Sequence, residues 1–358
     1  MPGPILGGLL VGVAESVGPE LCSPGFDAPG KSNLAVLQRH RQGCARFRVV
    51  DHRHAGDAIR RPWHRSESEG VSAPLLRETS MQQPDRYLMA GVMGYPIMHS
   101  RSPVLHNYWL REHGLSGVYV PLAVKPEGLA AALRALPALG FSGCNLTMPL
   151  KELALSIVDR VSPIARQIGA MNCVIVAPDG SLEGHNFEAF GYAESLAQEV
   201  PGWTADAGPV IVIGAGGGAR AVIAGLADRG ATDIRVCNRS SARAEQLAAE
   251  FGVKVLSWDR RHDAIAEAAL LVNTTNQGMG KEQALDLDLA KLPSSTVVSD
   301  LIYVPRETPL LAAARARGNR TVNGLGMLLN QARPAFKNWF GVMPEITPGL
   351  RAAIEATL

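Results

Sequence analysis

Lys151 is the residue whose type and position most strongly suggest chemistry. It lies three residues beyond the predicted strand at 142–148, and open α/β sheets bind their ligands at the carboxyl ends of strands. An amine at such a place can accept the proton of a reacting hydroxyl and return it. A lone lysine at the start of a helix is usually solvated, so the surrounding sequence must decide its role.

Neutral hydroxyl and amide side chains recur around this lysine in the predicted fold. Ser100 and Ser102 are two residues apart after an earlier predicted strand, and their hydroxyl groups can converge on a carboxylate. Thr147, Asn172 and Gln331 supply further neutral donors and acceptors. Each of them alone could equally cap a turn. Together they predict a site for a small polyhydroxylated acid.

A glycine-rich turn joins a fully apolar strand at 210–213 to a predicted helix. Its pattern G-x-G-x-x-A places Gly214 at the tight turn, Gly216 where the backbone approaches a pyrophosphate, and Ala219 where the helix packs on the sheet. Gly217 and Gly218 lie at the helix N-terminus, whose N–H groups and positive dipole end can bind phosphate. The flanking strand and helix predict a dinucleotide site rather than a simple turn.

The end of the next strand indicates which dinucleotide this is. NAD sites usually carry Asp or Glu there, to accept from the ribose 2′-hydroxyl. Here the strand is followed by Asn238, Arg239, Ser240 and, slightly later, Arg243, with no acid among them. Guanidinium groups suit a phosphate dianion. The pattern therefore favours NADP over NAD, although two solvated arginines at a helix start would look the same.

These residues must be positioned by two α/β units. Strands are predicted at 87–93, 118–124 and 142–148, with helices at 102–112, from Pro126 to Gly140, and at 149–160. Ser102 is expected to cap the first helix, with Pro103 at its first position. A hairpin at 171–177 and 181–185 follows. Further strands at 210–213, 234–237, 270–273 and 296–301 alternate with helices, so both sheets are expected to be mostly parallel.

From Tyr87 to about Phe340, the chain resembles the shikimate dehydrogenase family, in order and along nearly its full length. The matching segments are GYPIMHSRSP at 94–103 with HN at 106–107, NLTMPLK at 145–151, GAMN at 169–172, GHN at 184–186, NRS at 238–240 with Arg243, NTT at 273–275, GM at 278–279, DLIY at 300–303, and GLGM at 324–327 with Gln331.

The resemblance implies roles for individual residues. Lys151 shuttles the proton of the reacting hydroxyl while NADP takes the hydride, and Glu188 pairs with this lysine. It implies substrate contacts for Ser100, Ser102, Thr147, Asn172, Tyr303 and Gln331. It implies cofactor contacts for Gly214, Gly216, Gly217, Gly218, Ala219, Asn238, Arg239, Ser240, Arg243, Thr274, Gly324 and Met327. The activity so implied is NADP-dependent reversible reduction of 3-dehydroshikimate to shikimate, in chorismate and aromatic amino-acid biosynthesis.

The sequence departs from the family pattern after GHN. Thr and Asp are expected there, and Phe187 and Glu188 stand in their places. Glu188 keeps a carboxylate but adds a methylene, so it can pair with Lys151 without keeping the same bond to a substrate hydroxyl. Phe187 either narrows the pocket or packs in the hinge. These changes leave open a paralogue acting on quinate or another cyclic hydroxy acid, and, in a different class, a non-catalytic NADP-binding sensor.

The composition of the chain argues against nucleic-acid binding, metal binding and membrane insertion. The 358 residues are 46% hydrophobic and 19% charged, with a net charge of +2, which does not suggest a nucleic-acid-binding protein. Five cysteines stand far apart, without disulfide or zinc-ligand spacing, so we expect no metal and a cytoplasmic location. No apolar run is long enough to span a bilayer. A basic segment at 31–65 would be the only support for a nucleic-acid-binding arm.

The expected organisation is two α/β domains with flanking segments. Residues 1–85 show no periodic apolar pattern and are expected to form a disordered extension. Residues 86–187 are expected to form the substrate-binding domain and residues 188–322 a Rossmann-like NADP-binding domain. Residues 323–358 should form helices that return to the substrate-binding domain, where Trp339 and Phe340 can anchor them. The expected partner is a small cyclic hydroxy acid, and the expected state is a monomer or homodimer.

Overall fold

The computed structural model describes residues 87–358; the predictions for the extension at 1–85 lie outside the described residues. Twelve strands and ten α-helices alternate along this part of the chain. The strands are β1 Leu88–Gly94, β2 Gly117–Ala123, β3 Phe141–Leu146, β4 Arg160–Val161, β5 Cys173–Val176, β6 Leu182–His185, β7 Val210–Ile213, β8 Ile234–Cys237, β9 Lys254–Leu256, β10 Leu270–Asn273, β11 Val297–Asp300 and β12 Thr321–Val322. The helices are α1 Ser102–Glu112, α2 Leu129–Ala135, α3 Pro163–Ile168, α4 Glu188–Glu199, α5 Gly217–Asp228, α6 Ser241–Phe251, α7 Arg261–Ala264, α8 Pro309–Ala316, α9 Leu325–Phe340 and α10 Pro348–Glu355.

The first sheet is mixed, with the order β2-β1-β3-β5-β6-β4. Strand β1 pairs in parallel with β2 and β3, whereas β5 runs antiparallel to both β3 and β6. Both faces are covered, because alternate residues enter different cores: Val92 packs in one and Met93 in another. Only β5 opposes the other strands, so β1, β3 and β6 all end at the same edge.

The second sheet is entirely parallel, with the order β12-β11-β10-β7-β8-β9. This is the doubly wound arrangement in which the strand order reverses between β7 and β10. The apolar run of β7 is buried on both faces: Val212 belongs to the same hydrophobic core as Val222 of α5, and Ile213 to the same core as Leu311 of α8. The predicted class, two α/β domains of which the second is Rossmann-like, is confirmed.

Helix α4 lies between the two sheets and packs against both α9 and α5. Glycines make these contacts close. A Cβ atom at Gly191 would lie 2.7 Å from Gln331 Cβ and 2.8 Å from Met327 O. A Cβ at Gly225 would collide with Ala189 O, and one at Gly326 with Ser195 Oγ. Short side chains on α4 and its neighbours therefore set the distance between the layers.

The C-terminal helices lie against the first sheet and its covering helix. Helix α9 packs on β1, β3 and β5, and α10 packs on α1. Trp339 Nε1 donates to Val174 O at 3.0 Å, as the sequence led us to expect of this tryptophan. This contact crosses from residue 339 back to 174, so the last part of the chain stabilises the first sheet.

Two predicted local features are wrong. Helix α1 begins at Ser102 with Arg101 as its N-cap and no side-chain cap, and Ser100 Oγ accepts from Ser102 N at 3.3 Å. The helix predicted at 149–160 is replaced by turns and a short 3₁₀ segment, Leu153–Ser156. The reason is visible at Lys151, whose carbonyl accepts from Met171 N at 3.0 Å instead of from a residue within a helix.

Candidate active site

The carboxyl edge of the first sheet carries a small polar cavity that is open to solvent. Thr147 and Lys151 follow β3, Glu188 opens α4 after β6, and Asn172 precedes the antiparallel β5, so topology alone brings them to one edge. The cavity is completed by α1 on one side and α9 on the other. Its lining residues are Val92, Ser102, Asn145, Leu146, Thr147, Lys151, Asn172, Glu188, Leu328, Gln331 and Ala332.

Lys151 and Glu188 form an ion pair at the wall of this cavity. Nζ of the lysine donates to Oε1 of the glutamate, and their side chains are 13% and 4% exposed. Glu188 is the first residue of α4, where the positive end of the helix dipole favours a carboxylate. Glu188 N in turn donates to Asn186 Oδ1 at 2.9 Å. A water-poor, oriented ammonium group of this kind can give a proton to a developing alkoxide.

Amide side chains extend the polar wall beside this pair. Asn172 Oδ1 accepts from Phe187 N at 2.9 Å, and Asn172 Nδ2 donates to Gln331 Oε1 at 3.0 Å. Asn145 Nδ2 donates to Asn172 O at 2.9 Å. The wall therefore consists of neutral groups whose orientations are set by one another.

Asn145 lines the cavity, although it was not among the site residues predicted from the sequence. A signal for it existed, because Asn145 is two residues before Thr147 and alternate residues of a strand share a face. Behind it, Tyr119 OH donates to Asn145 Oδ1 at 2.6 Å, and His106 stacks on Tyr119 with ring centroids 4.2 Å apart. Burial lowers the pKa of His106 to about 3, so this ring places no positive charge behind the cavity near neutral pH.

Phe187 does not line the polar cavity. Its ring stacks on His185, with centroids 5.6 Å apart and planes 16° from parallel. It also lines a separate, mostly apolar pocket together with Ile164, Phe190 and Ala193. Of the two orientations considered from the sequence, the structure shows the one that packs away from the site.

Two of the predicted substrate residues are not among the cavity lining. Ser100 is 7% exposed and its hydroxyl accepts from the backbone of α1. Tyr303 is 2% exposed and belongs to the largest hydrophobic core. The other four, Ser102, Thr147, Asn172 and Gln331, are brought together in the cavity.

The glycine-rich turn lies at the crevice of the second sheet and has the form that a dinucleotide pyrophosphate requires. Gly214 follows β7 with φ +114°, and a Cβ there would collide with Thr274 Oγ1. Thr274 itself is buried and donates to Ile213 O at 2.8 Å. Gly216 is the N-cap of α5 and has no capping side chain, so the first N–H groups of Gly217, Gly218 and Ala219 are not covered by one.

The positively charged residues predicted to bind a 2′-phosphate follow β8, the strand next to β7 in the second sheet. Arg239 and Arg243 are exposed, and Ser240 is the N-cap of α6 without a side-chain cap bond. Asn238 Nδ2 donates to Ser240 O at 2.9 Å, which shapes the loop. These residues fit the adenosine end of NADP, since they place guanidinium groups and no carboxylate after β8.

Two more predicted cofactor residues, Gly324 and Met327, lie at the start of α9 in close contact with neighbouring backbone. Gly324 N donates to Ile302 O at 3.1 Å, and a Cβ at Gly324 would collide with Leu301 O. Met327 is 1% exposed and its carbonyl lies against Gly191. Their positions start α9, the helix that carries Gln331 into the cavity.

Neither a metal cluster nor a membrane span is found in the described part of the chain. Residues 87–358 contain no group of three or more His, Cys, Asp or Glu side chains that could hold a metal ion. Among the helices of the same residues, none has the length and apolar character needed to cross a bilayer.

Family models match most of the described chain in three consecutive segments. The shikimate dehydrogenase substrate binding domain matches residues 92–174, and the shikimate / quinate 5-dehydrogenase model matches residues 195–307. The shikimate 5'-dehydrogenase C-terminal domain matches residues 324–354.

Individual relatives agree with these models. The chain is 53% identical over 268 residues to shikimate dehydrogenase (NADP(+)) of Paramagnetospirillum magneticum, covering 74% of this chain and 97% of that one. A structure of shikimate 5-dehydrogenase from Thermus thermophilus with NADP(H) and shikimate has 38% identity and a TM-score of 0.68, covering 76% and 100%. Quinate dehydrogenase from Corynebacterium glutamicum with NAD has 30% identity and a TM-score of 0.70, covering 75% and 99%. The chain belongs to the shikimate dehydrogenase family.

Proposed function

We propose that this protein catalyses the NADP-dependent reversible reduction of 3-dehydroshikimate to shikimate, a step of chorismate and aromatic amino-acid biosynthesis. The observation that carries the proposal is the nearly buried Lys151–Glu188 pair in a cavity whose other polar side chains are neutral donors and acceptors. Family membership and the relative at 53% identity support the same reaction. The chain is accordingly an alcohol dehydrogenase.

The protein's own residues supply the proton and the orientation. The Lys151 ammonium donates a proton to the oxygen of the ketone as its carbon is reduced, and in the oxidative direction the amine recovers that proton from the hydroxyl. Glu188 holds the ammonium in place from the first position of α4. Ser102, Thr147, Asn172 and Gln331 bind the ring substituents of the substrate.

The glycine-rich turn would hold NADP, which would supply the hydride in its reduced form. Gly214, Gly216, Gly217, Gly218 and Ala219 would hold the pyrophosphate at the start of α5. The loop after β8, with Asn238, Arg239, Ser240 and Arg243, would bind the adenosine 2′-phosphate. Thr274, Gly324 and Met327 would shape the nicotinamide end. NAD lacks the 2′-phosphate and would bind less tightly.

The proposed organisation follows from the same assignment. Residues 86–187 would bind substrate, 188–322 would bind NADP, and the helices of 323–358 would complete the substrate site by bringing in Gln331. We propose a cytoplasmic enzyme, active as a monomer or homodimer, with no nucleic acid or membrane partner.

A second candidate activity is oxidation of quinate or a related cyclic hydroxy acid. The specific observation in its favour is Glu188, whose extra methylene relative to the family's aspartate changes the reach of the carboxylate that pairs with Lys151. The similarity to the quinate dehydrogenase from Corynebacterium glutamicum is compatible with it.

A substrate panel with two lysine variants tests these assignments. We expect wild-type protein to turn over shikimate with NADP faster than quinate, and to prefer NADP over NAD. Lys151→Ala should lower kcat by roughly 10²-fold to 10⁴-fold, the usual contribution of a general acid. Lys254→Ala, at an exposed ion pair on the far edge of the second sheet, should leave kcat unchanged. Faster quinate turnover would favour the second candidate, and no turnover of either acid would leave a non-catalytic sensor.

A further inference from the structure

The side-chain amide of Asn172 is hydrogen-bonded on one side to the backbone N–H of Phe187 and on the other to the side-chain amide of Gln331. Its Oδ1 accepts from the backbone N–H of Phe187 at 2.9 Å, and its Nδ2 donates to Gln331 Oε1 at 3.0 Å. Side-chain amides can flip, exchanging donor for acceptor. A backbone N–H can only donate, so the contact with Phe187 fixes which end of the Asn172 amide carries oxygen.

This orientation is passed on to Gln331. Because Nδ2 of Asn172 faces Gln331, the glutamine must present Oε1 to it, which turns its own Nε2 away from Asn172. Among residues 87–358, Gln331 makes no other side-chain hydrogen bond, and it lines the cavity. Its amino group and the second N–H of Asn172 are therefore left for a ligand.

We call the two hydrogen bonds that run from Phe187 N–H through Asn172 to Gln331 the relay. The Phe187 N–H, its first donor, is held in place by further backbone and side-chain hydrogen bonds. Phe187 O accepts from Gly191 N at 2.8 Å in the first turn of α4. On either side of Phe187, Asn186 Nδ2 donates to Ala170 O at 3.1 Å, and Asn186 Oδ1 accepts from Glu188 N at 2.9 Å. The loop that carries the Phe187 N–H is thus tied to the segment before β5, where Asn172 lies.

We infer that the backbone N–H of Phe187 sets the hydrogen-bond polarity of the cavity, so that Asn172 and Gln331 both present N–H donors to an oxygen of the substrate that can only accept. The inference rests on the proposed function and specifies the kind of group that this wall recognises. A ketone oxygen or a developing alkoxide satisfies two donors, whereas a group that can only donate at the same place leaves them unpaired, which costs affinity.

The relay also assigns position 187 a role that does not involve its side chain. The ring of Phe187 packs on His185, outside the cavity, while its N–H acts on Asn172. A positioning function of the main chain is compatible with the bulky side chain found where the family pattern has threonine.

A double-mutant cycle between Asn172→Asp and Gln331→Met tests the relay. In Asn172→Asp the carboxylate still accepts from Phe187 N, but its other oxygen can only accept, so Gln331 must turn Nε2 toward it and lose its donor to the cavity. We expect Gln331→Met alone to raise KM for 3-dehydroshikimate about tenfold or more. In the Asn172→Asp background the same change should add less than about twofold. Fold-changes that multiply would overturn the inference.

Comparison of Gln331→Glu with Gln331→Met provides an independent arm. The glutamate can still accept from Asn172 Nδ2 but offers no N–H, so at pH 8 its KM should rise at least as much as that of the methionine variant. Lowering the pH should restore its KM relative to wild type, because the protonated carboxyl regains a donor, and should not restore that of the methionine variant. A glutamate variant with near wild-type KM at pH 8 would overturn the inference.

Controls separate this inference from the proposed function. KM for NADPH should stay within about twofold of wild type in every variant, which shows that each folds and binds cofactor. Wild-type protein that does not reduce 3-dehydroshikimate would contradict the proposed function alone. Both arms are then measured with the ketone that corresponds to the cyclic hydroxy acid that wild type does oxidise, since the predicted donors face the acceptor oxygen of any such ketone.

Discussion

Glu188 pairs with Lys151 from the first position of helix α4. This position determines where the carboxylate lies, although the side chain is one methylene longer than the aspartate of the family pattern. The carboxylate lies at the positive end of α4, is 4% exposed, and is bonded to the lysine. Removal of either partner would leave a nearly buried charge unpaired, which is more costly than the loss of one ordinary hydrogen bond. The longer side chain of Glu188 therefore still forms the ion pair with Lys151, and its carboxylate still lines the cavity.

The aromatic ring at position 187 should be dispensable for turnover. We expect Phe187→Thr to change kcat/KM for 3-dehydroshikimate by less than about threefold, because the ring packs on His185 outside the cavity and the N–H is retained. Stability should fall by roughly 1–3 kcal/mol through lost apolar burial. Steady-state kinetics and urea unfolding measure the two effects. A rise in kcat/KM above tenfold would mean that the ring does restrict the site.

Arg239 should discriminate between the two nicotinamide cofactors. It is exposed after β8, where a 2′-phosphate would lie and where no acid stands. We expect Arg239→Ala to raise KM for NADP by roughly tenfold, from the loss of a charge-assisted hydrogen bond, and to leave KM for NAD nearly unchanged. Arg315→Ala, at an exposed ion pair on α8, is the matched control. Equal increases for both cofactors would contradict the NADP assignment.

Helix α4 connects the second sheet to the polar cavity through close helix contacts. It begins at Glu188, packs on α5 through Gly225, and packs on α9 through Gly191. Helix α9 carries Gln331, so the separation of α4 and α9 sets how far that amide reaches toward Asn172. The helices thereby position both ends of the polar wall.

A methyl group at Gly191 should separate α4 from α9. Its Cβ would lie 2.7 Å from Gln331 Cβ and 2.8 Å from Gln331 N, closer than carbon atoms can approach. We expect Gly191→Ala to lower the free energy of unfolding by roughly 1–3 kcal/mol and to raise KM for 3-dehydroshikimate. Gly128→Ala is the control, because nothing lies within 4 Å of a Cβ there. Equal stability of the two variants in urea titrations would refute the close contact.

Two sheets of different character form the described part of the molecule. The second is wholly parallel and buried on both faces, and the crevice at its strand-order reversal holds the glycine turn. The first is mixed, and its antiparallel β5 brings Asn172 to the edge where β3 and β6 end. The cavity depends on both the first sheet and the returning α9, so it cannot form from either alone.

Asp300 should make the stability of the molecule depend on pH. It is fully buried at the end of β11, accepts from Thr308 Oγ1 at 2.8 Å and Asn273 Nδ2 at 3.2 Å, and burial raises its pKa to about 6. The unfolded carboxyl has a pKa of 3.8. Between about pH 4 and pH 6 the folded state binds the proton more tightly, so this group's contribution to stability falls as pH rises.

The variant Asp300→Asn isolates that contribution. The unfolding free energy of wild type minus that of the variant should decrease by roughly 3 kcal/mol in all between about pH 2 and pH 8, at 1.36 kcal/mol per pKa unit, with roughly 2 kcal/mol of this between pH 4 and pH 6. Urea titrations over this range measure it. A difference that is constant with pH, or that increases, would show that Asp300 is ionised in the folded protein throughout.

Local sequence determined the elements and the family. Strands 210–213, 234–237 and 270–273 were predicted with the bounds they have in the structure, because short, mostly apolar runs of four residues that alternate with helical segments favour strands of a parallel sheet. The glycine turn was recognisable because its strand and helix are adjacent in sequence. Lys151, Glu188, Ser102, Thr147, Asn172 and Gln331 were selected and do meet in one cavity, although their roles stay predictions.

Tertiary structure decided what depends on partners distant in the chain. The backbone of Lys151 bonds to Met171 instead of continuing a helix. Tyr303 is drawn into the core and Asn145 is exposed to the cavity. The direction of Phe187 follows from His185 and the apolar pocket beside it. Local periodicity specifies which face of a strand or helix is apolar. At the junction of a strand and a helix, the direction of each side chain depends on how the layers of the fold pack against one another.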